Sequence, residues 1–529
     1  MCMATMVTDT ALKGRIFAFI PLLFIAPSTA GEFTLEPGLS VSETYSDNIL
    51  ATRDNKESSY VTDASFVLGT SFRSRKLDFG LESRSSYLMY THDHDLDKTY
   101  HAVQSTLNIK PITSGPIIFA SVNIANQSRN NADNLYSDLI SGNTIQTEQY
   151  QAGIRQEIDN SRFVLSAEIA AFDVRSEDNV GENHGYTSSL SFSNGDGIRS
   201  IFWDINGSYY DRSNEDLSGR NYNIEAKVGF NTAWKISPFV RYYDEDYSGN
   251  VAVPNRDTTA SKGAGLRWQI TDHMLLDVSY NYVDDDRISD DYLETSFDWQ
   301  ASERTSIFAG YSQRFYGDSY NLKISHKNRR MTNTISYDES LQAFTRDNFI
   351  TEIVDNVFCP IGQPINLDNC LDNLDNIDDP SQYGQVNVFG QTPVEDDQFS
   401  LYKRLSWNSE LALARTTFTL TLSHNERENL TDSNIDKTFI SSLSARRKMS
   451  GRSNIALTWQ FSHVDYNTNA IDTIATQSDY YRNILLSYQR TMAKTLDGDI
   501  NLEYRNRSTQ RNDRDYEELR VSLNLIKKF

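Results

Sequence analysis

The chain has 529 residues and carries 72 acids against 50 lysines and arginines; its net charge of −22 repels phosphate and argues against nucleic-acid binding. Its mean hydropathy is −0.54 although 12% of its residues are aromatic. Beyond the first 30 positions it has no apolar run of about eighteen residues, which excludes a membrane protein built of helices. A half-polar, aromatic-rich chain suits a transmembrane barrel, where each strand offers only alternate residues to lipid.

The first element is an export signal. Lys13 and Arg15 precede an apolar run from Ile16 to Ala26, and Ser28, Thr29 and Ala30 supply a small-residue cleavage site. Cys2 lies upstream of that run, so it is not placed as a lipoprotein cysteine. Residues 1–30 are expected to be removed, leaving 31–529 as one barrel domain. Cys359 and Cys370 then remain, and an oxidising exported setting favours their pairing.

Two-residue alternation begins almost at once. Leu39, Val41 and Tyr45 share a face, and Tyr60, Ala64, Phe66, Leu68 and Phe72 share the next. Leu77, Phe79, Leu81, Tyr87 and Met89 face away from Asp78, Glu82 and Arg84. The pattern recurs down the chain, through Phe163, Leu165, Ala167 and Ile169 and later Ile500, Leu502 and Tyr504. Such alternation marks strands with one apolar and one wet face. Read this way, the chain holds about 24 strands, from 35–45 to 516–528, in an all-β, antiparallel up-and-down transmembrane barrel.

The connections alternate in length for most of the chain. Ser74-Arg75 and Thr271-Asp272 are tight, whereas 46–59, 128–145, 246–258 and 465–478 are long and polar. Outer-membrane barrels have short periplasmic turns and long external loops, so odd strands run outward. Trp203, Trp234, Trp268, Trp299 and Trp407 then fall at inner strand ends; Trp459 does not. Eleven tyrosines, among them Tyr60, Tyr150, Tyr209 and Tyr280, fall at outer ends. Aromatic rings with a polar tip favour the two membrane interfaces, which makes these the two girdles.

The last strand closes the design. Leu519, Val521, Leu523 and Leu525 alternate with polar residues, and the chain stops at Phe529. This strand is expected to pair with the first near Leu35–Tyr45. The first strand begins within a few residues of the cleavage site, leaving no room for an N-terminal plug domain, and on that ground plugged, ligand-gated transporters are set aside.

The segments Glu43–Leu50, Thr99–Ala102, Asp397–Ser406, Thr416–Glu428 and Asp479–Phe529 resemble the outer-membrane proteins associated with the exosortase (PEP-CTERM) system. These are similar in turn to β-barrel porin families. The resemblance implies an outer-membrane barrel of a Gram-negative bacterium that makes exopolysaccharide and sorts proteins to its surface. It also implies that the strand ending at Phe529 is a signal read by the barrel-assembly machinery. It implies no catalytic residues.

The insertion at about 342–397 departs from the hairpin pattern. It holds eleven acids against Arg346 alone, together with Cys359 and Cys370. Asp372, Asp375, Asp378 and Asp379 offer hard oxygen ligands for Ca²⁺, but without EF-hand spacing or a central glycine, and a solvated acidic loop is the preferred reading. His92, Asp93, His94 and Asp95 form a second, weaker cluster that reads mainly as wet loop. His424 and His463, with Asp465, sit near outer strand ends, but no converging catalytic set is visible, so an enzyme is not expected. No other cofactor is expected.

A 24-stranded wall encloses a hole far wider than side chains fill, so something must narrow it. The acidic insertion is the expected constriction. Asp78, Glu82, Arg84, Glu225, Lys227, Lys323, Glu503 and Arg505 are expected to line the lumen. The functional expectation is an outer-membrane pore passing polar solutes or exopolysaccharide, with outer-membrane lipids and periplasmic export components as partners. The alternative is a non-conducting scaffold or receptor that binds polymer, calcium or sorted proteins through its external loops.

Overall fold

Period-two alternation gives each strand an apolar face, while its edges carry rows of backbone N–H and C=O groups that in lipid are satisfied only when the sheet closes on itself. The computed structural model shows that closure. It describes residues 31–131, 134–251, 258–283, 291–345, 348–360, 371, 382–394, 398–430, 434–466, 477–509 and 514–529.

The first strands are β1 (Glu32–Ser46), β2 (Ser59–Arg73), β3 (Leu77–Tyr90), β4 (Lys98–Ile109), β5 (Ile117–Ser128) and β6 (Thr144–Asp159). Then come β7 (Phe163–Ser176), β8 (Asn183–Asn194), β9 (Ile201–Ser213), β10 (Ser218–Phe230), β11 (Ile236–Gly249) and β12 (Thr258–Thr271). They are followed by β13 (Met274–Val283), β14 (Tyr292–Ser302), β15 (Thr305–Arg314), β16 (Gly317–Lys327) and β17 (Met331–Gln342). A hairpin of β18 (Asn348–Pro360) and β19 (Tyr383–Val394) interrupts the series. The wall resumes with β20 (Ser400–Ala412), β21 (Thr416–Asn429), β22 (Ile435–Ser450) and β23 (Ser453–Tyr466), and ends with β24 (Gln477–Ala493), β25 (Leu496–Thr509) and β26 (Tyr516–Lys528).

Each barrel strand pairs antiparallel with the next, β17 pairs directly with β20, and β26 returns to β1, giving one 24-stranded sheet. The closing register runs from Gly38 opposite Lys528 to Ser46 opposite Arg520. The Phe529 amide donates to the Pro37 carbonyl at 2.9 Å, one bond beyond the ladder.

The expected fold class needs correction on two points. The strands do not form a single meander, because β18 and β19 make a separate two-stranded sheet where an irregular insertion was expected. The second is the plug-free part of that expectation, which is not retained.

The outer face is apolar. Leu39, Val41, Phe66, Ile154, Ile169, Val240 and Leu266 are all about half exposed or more. On β26, Leu519, Val521, Leu523 and Leu525 are 38–46% exposed, while Glu518 and Arg520, on either side of Leu519, are 2% and 4% exposed. In water this distribution would be inverted. Exposed leucines and buried charges on one strand mean that lipid lies outside and a packed polar interior lies within. The chain is an outer-membrane β-barrel.

Candidate functional site

Inward-facing residues of neighbouring strands stand opposite one another, so charges there meet across the ladder. On the β10–β14 wall this produces a continuous ion-pair network. Arg241 donates Nε to Glu225 at 2.6 Å and Nη1 to Asn281 Oδ1 and Tyr292 Oη at 3.2 and 3.1 Å. Lys227 Nζ lies 2.9 Å from Glu294 Oε1, whose other oxygen accepts from Ser279. Further out, Glu245 is fully buried and accepts from Tyr243, Tyr247 and Arg314 at 2.9–3.0 Å. Gly263 on β12 makes the density possible, since a Cβ there would run into Asn281 Oδ1 and the Tyr280 carbonyl.

A second network lies opposite β23–β26 and is made with a loop. Residues 134–143, between β5 and β6, turn into the lumen. Asp138 accepts from Arg505 Nη2 at 2.8 Å and Arg520 Nη1 at 2.6 Å. Arg505 also donates to the Tyr136 carbonyl at 3.1 Å, and Tyr136 Oη lies 2.8 Å from Ser462 Oγ. Apolar contacts complete the attachment. Leu135 and Tyr136 pack on Val464, Tyr466 and Tyr481, while Leu139 and Ile140 pack on Ile49, Val61, Leu88, Tyr90 and Tyr100. The loop is thus a strap anchored at both ends on the inner wall. Burial alone would raise the Asp138 carboxyl, but the Arg520 and Arg505 guanidinium groups outweigh it and hold the carboxyl well below the usual carboxylate range.

A third inward element is the stem of the insertion. Ala343, Phe344 and Phe399 pack with Tyr247 and Val251, and the Phe399 amide donates to the Val251 carbonyl at 3.1 Å. Phe344 has φ of +61°, a left-handed conformation that a bulky residue adopts only when its surroundings impose it, at a cost of about 1–3 kcal/mol. Its packing on the far wall is what holds it there.

The eight expected lumen residues all lie on inward faces, but not as a common lining. Asp78, Glu82 and Lys323 are exposed to the lumen. Arg84 is tied to Asp63 at 2.7 Å. Glu225, Lys227, Glu503 and Arg505 are absorbed into the two networks, with Arg505 2.9 Å from Glu503. Four of the eight charges are thus paired with one another within the wall. The strap at 134–143 lies against the inner wall where 128–145 was expected to be a wet external loop; of the insertion, expected as the constriction, the structure describes 342–345, 348–360, 371 and 382–394. The signal was there in Leu135, Tyr136, Leu139 and Ile140, four apolar residues in a stretch read as polar.

Cys359 is disulfide-bonded, and Phe358 forms an isolated bridge with Leu371. Cys370, Asp372, Asp375, Asp378 and Asp379 lie outside the described residues. Among the described residues no group of three or more His, Cys, Asp or Glu is arranged to hold a metal ion. His92 Nδ1 turns to Ser59 Oγ at 2.8 Å, while His94 sits in a short 3-10 turn beside Asp97, so the two histidines do not converge. His463 is stacked on Tyr480 at 4.3 Å in the outer girdle. Its Nε2 meets both Ser478 Oγ and Asp465 Oδ1 at 3.1 Å. A catalytic triad needs the hydroxyl and the acid on different ring nitrogens, so this trio is not one.

No family model and no curated protein matches the sequence. Solved structures match in fold at low identity. The siderophore receptor PirA from Acinetobacter baumannii is 8% identical, with 94% of this chain and 81% of that chain covered and a TM-score of 0.44. A variant of the ferric enterobactin receptor PfeA from Pseudomonas aeruginosa is 9% identical over 94% and 81%, with a TM-score of 0.45. OccAB4 from Acinetobacter baumannii is 10% identical over 94% and 98%, with a TM-score of 0.36. These likenesses are of the barrel fold alone.

Proposed function

We propose that this barrel is a pore for polar solutes whose width is set by the strap at 134–143. The observation that supports it most is the double anchoring of Asp138 by Arg505 and Arg520 inside the lumen. A loop whose only task was to cap the surface would gain nothing from holding a carboxylate between two buried wall arginines, which are themselves costly to bury unless paired. A wide wall with a paired, apolar-anchored strap is how such a barrel restricts flow without losing its aqueous path. Exopolysaccharide in an exosortase-associated system is the cargo that the sequence resemblance suggests, with periplasmic export components as partners. Pairing of Cys359 with Cys370, and calcium at Asp372–Asp379, are proposed features of the insertion.

Single-channel recording in planar bilayers tests the pore. Deleting 134–141 should raise conductance severalfold, and deleting 350–392 should change it less. Absence of conductance in the native and both shortened chains would sink the reading. A second reading, a non-conducting scaffold or receptor, draws support from the separate β18–β19 hairpin. It expects loss of surface retention of polymer or sorted proteins on hairpin deletion, with permeability unchanged.

A further inference from the structure

The inner wall of β5–β9 holds a recess of about 460 Å³, lined from five strands and closed on one side by Phe344. Its chemistry differs from the ion-paired walls beside it. No acid lines it. Asn123, Gln149 and Gln151 present carboxamides, each able to donate and accept; Phe172 and Tyr210 present rings; and Arg212 supplies the one charge. Arg212 is held over these rings, 5.4 Å from the Tyr210 centroid and 6.0 Å from that of Phe172. Its Nη1 reaches the Ala343 carbonyl at 3.4 Å, while its Nε is buried with no hydrogen-bond partner. Elsewhere in this lumen the buried cations Lys227, Arg241, Arg505 and Arg507 each face a carboxylate. A desolvated guanidinium edge without an anion is costly unless an anion arrives.

From this we infer that the recess binds an acidic saccharide. Rings that can cover the C–H face of a sugar, carboxamides that match hydroxyls in both roles, and a planar guanidinium that pairs with a carboxylate are together suited to a uronic-acid unit. The volume lies within the usual range of small-ligand sites. Simple phosphate or a fatty acid would use Arg212 but leave the carboxamides without partners. The inference rests on the pore reading only for the route by which the sugar enters.

Isothermal titration calorimetry on the full chain in detergent tests it, with an oligogalacturonate hexamer and neutral maltohexaose as probes. The native chain should bind the oligogalacturonate saturably and maltohexaose more weakly. Arg212→Gln should weaken oligogalacturonate binding about tenfold or more, as loss of a charged hydrogen-bonded pair does, and leave maltohexaose unchanged. Gln149→Glu, at a residue exposed to the lumen, should weaken the acidic probe similarly without removing any wall contact. Tyr210→Leu should weaken both. Undiminished sheet circular dichroism shows that each variant is folded. No saturable binding of the oligogalacturonate, equal binding of both probes, or indifference to both Arg212→Gln and Gln149→Glu would overturn the inference. Binding without conductance would remove the pore and keep the recess; conductance without binding would do the reverse.

Discussion

Arg505 Nη2 and Asp138 Oδ2 lie 2.8 Å apart although 367 positions separate them in the chain. Arg520 meets the same oxygen from the neighbouring strand, so one carboxylate joins β25, β26 and the strap. Asp138→Asn removes the charge and keeps the size. Arg505 retains Glu503 and Arg520 retains Glu518, so the wall should stay folded. The strap loses about 2 kcal/mol, the usual worth of a charge-assisted pair. Single-channel traces should then show frequent steps to a larger conductance.

The same carboxylate sets a pH limit. Its pKa is depressed in the closed state, so the stability it lends is present above the ordinary carboxylate value and is lost only as pH falls through the depressed one. Conductance of the native chain should therefore be flat from pH 7 down through pH 4 and rise below that. In Asp138→Asn the low-pH rise should be absent. A rise centred on pH 5–6 would point to a different latch.

Gly263 should tolerate no larger residue. In Gly263→Val the branched side chain would displace Asn281, which accepts from Arg241, and press on the Tyr280 carbonyl. Overpacking of this kind costs about 1–3 kcal/mol. Thermal unfolding followed by circular dichroism should show a lower midpoint, whereas Gly451→Ala, in open space, should show none.

Phe529 separates assembly from stability. Its amide bond to Pro37 belongs to the backbone and survives in Phe529→Ala, while its ring is 67% exposed. Detergent-refolded protein should therefore melt almost as the native chain does. Insertion into the outer membrane of cells should fall severalfold, measured as heat-modifiable protein in membrane fractions, if the barrel-assembly machinery reads the terminal aromatic.

Cys359 lies on β18 of the hairpin, outside the wall. If Cys370 is its partner, the bond closes a short loop and contributes about 2–3 kcal/mol to local order. Cys359→Ser should expose one thiol to maleimide labelling and speed proteolysis within the insertion, leaving the barrel's melting unchanged.

Which face of each strand meets lipid is legible in the residue order alone. Period two is a local property, so Leu519, Val521, Leu523 and Leu525 declare their side without reference to any partner. The same order also exposed 342–397 as an interruption. What turns into the lumen is set by the closed barrel. Whether Glu225 or Arg505 lines water or is cancelled within the wall depends on which strands lie beside it and which loop turns inward. That is a matter of long-range charge pairing, and Asp138 carries no local mark of it. The strap's four apolar residues hinted at burial, but the contacts of Leu135 and Tyr136 lie on strands near the other end of the chain, and only the closed barrel brings those strands within reach.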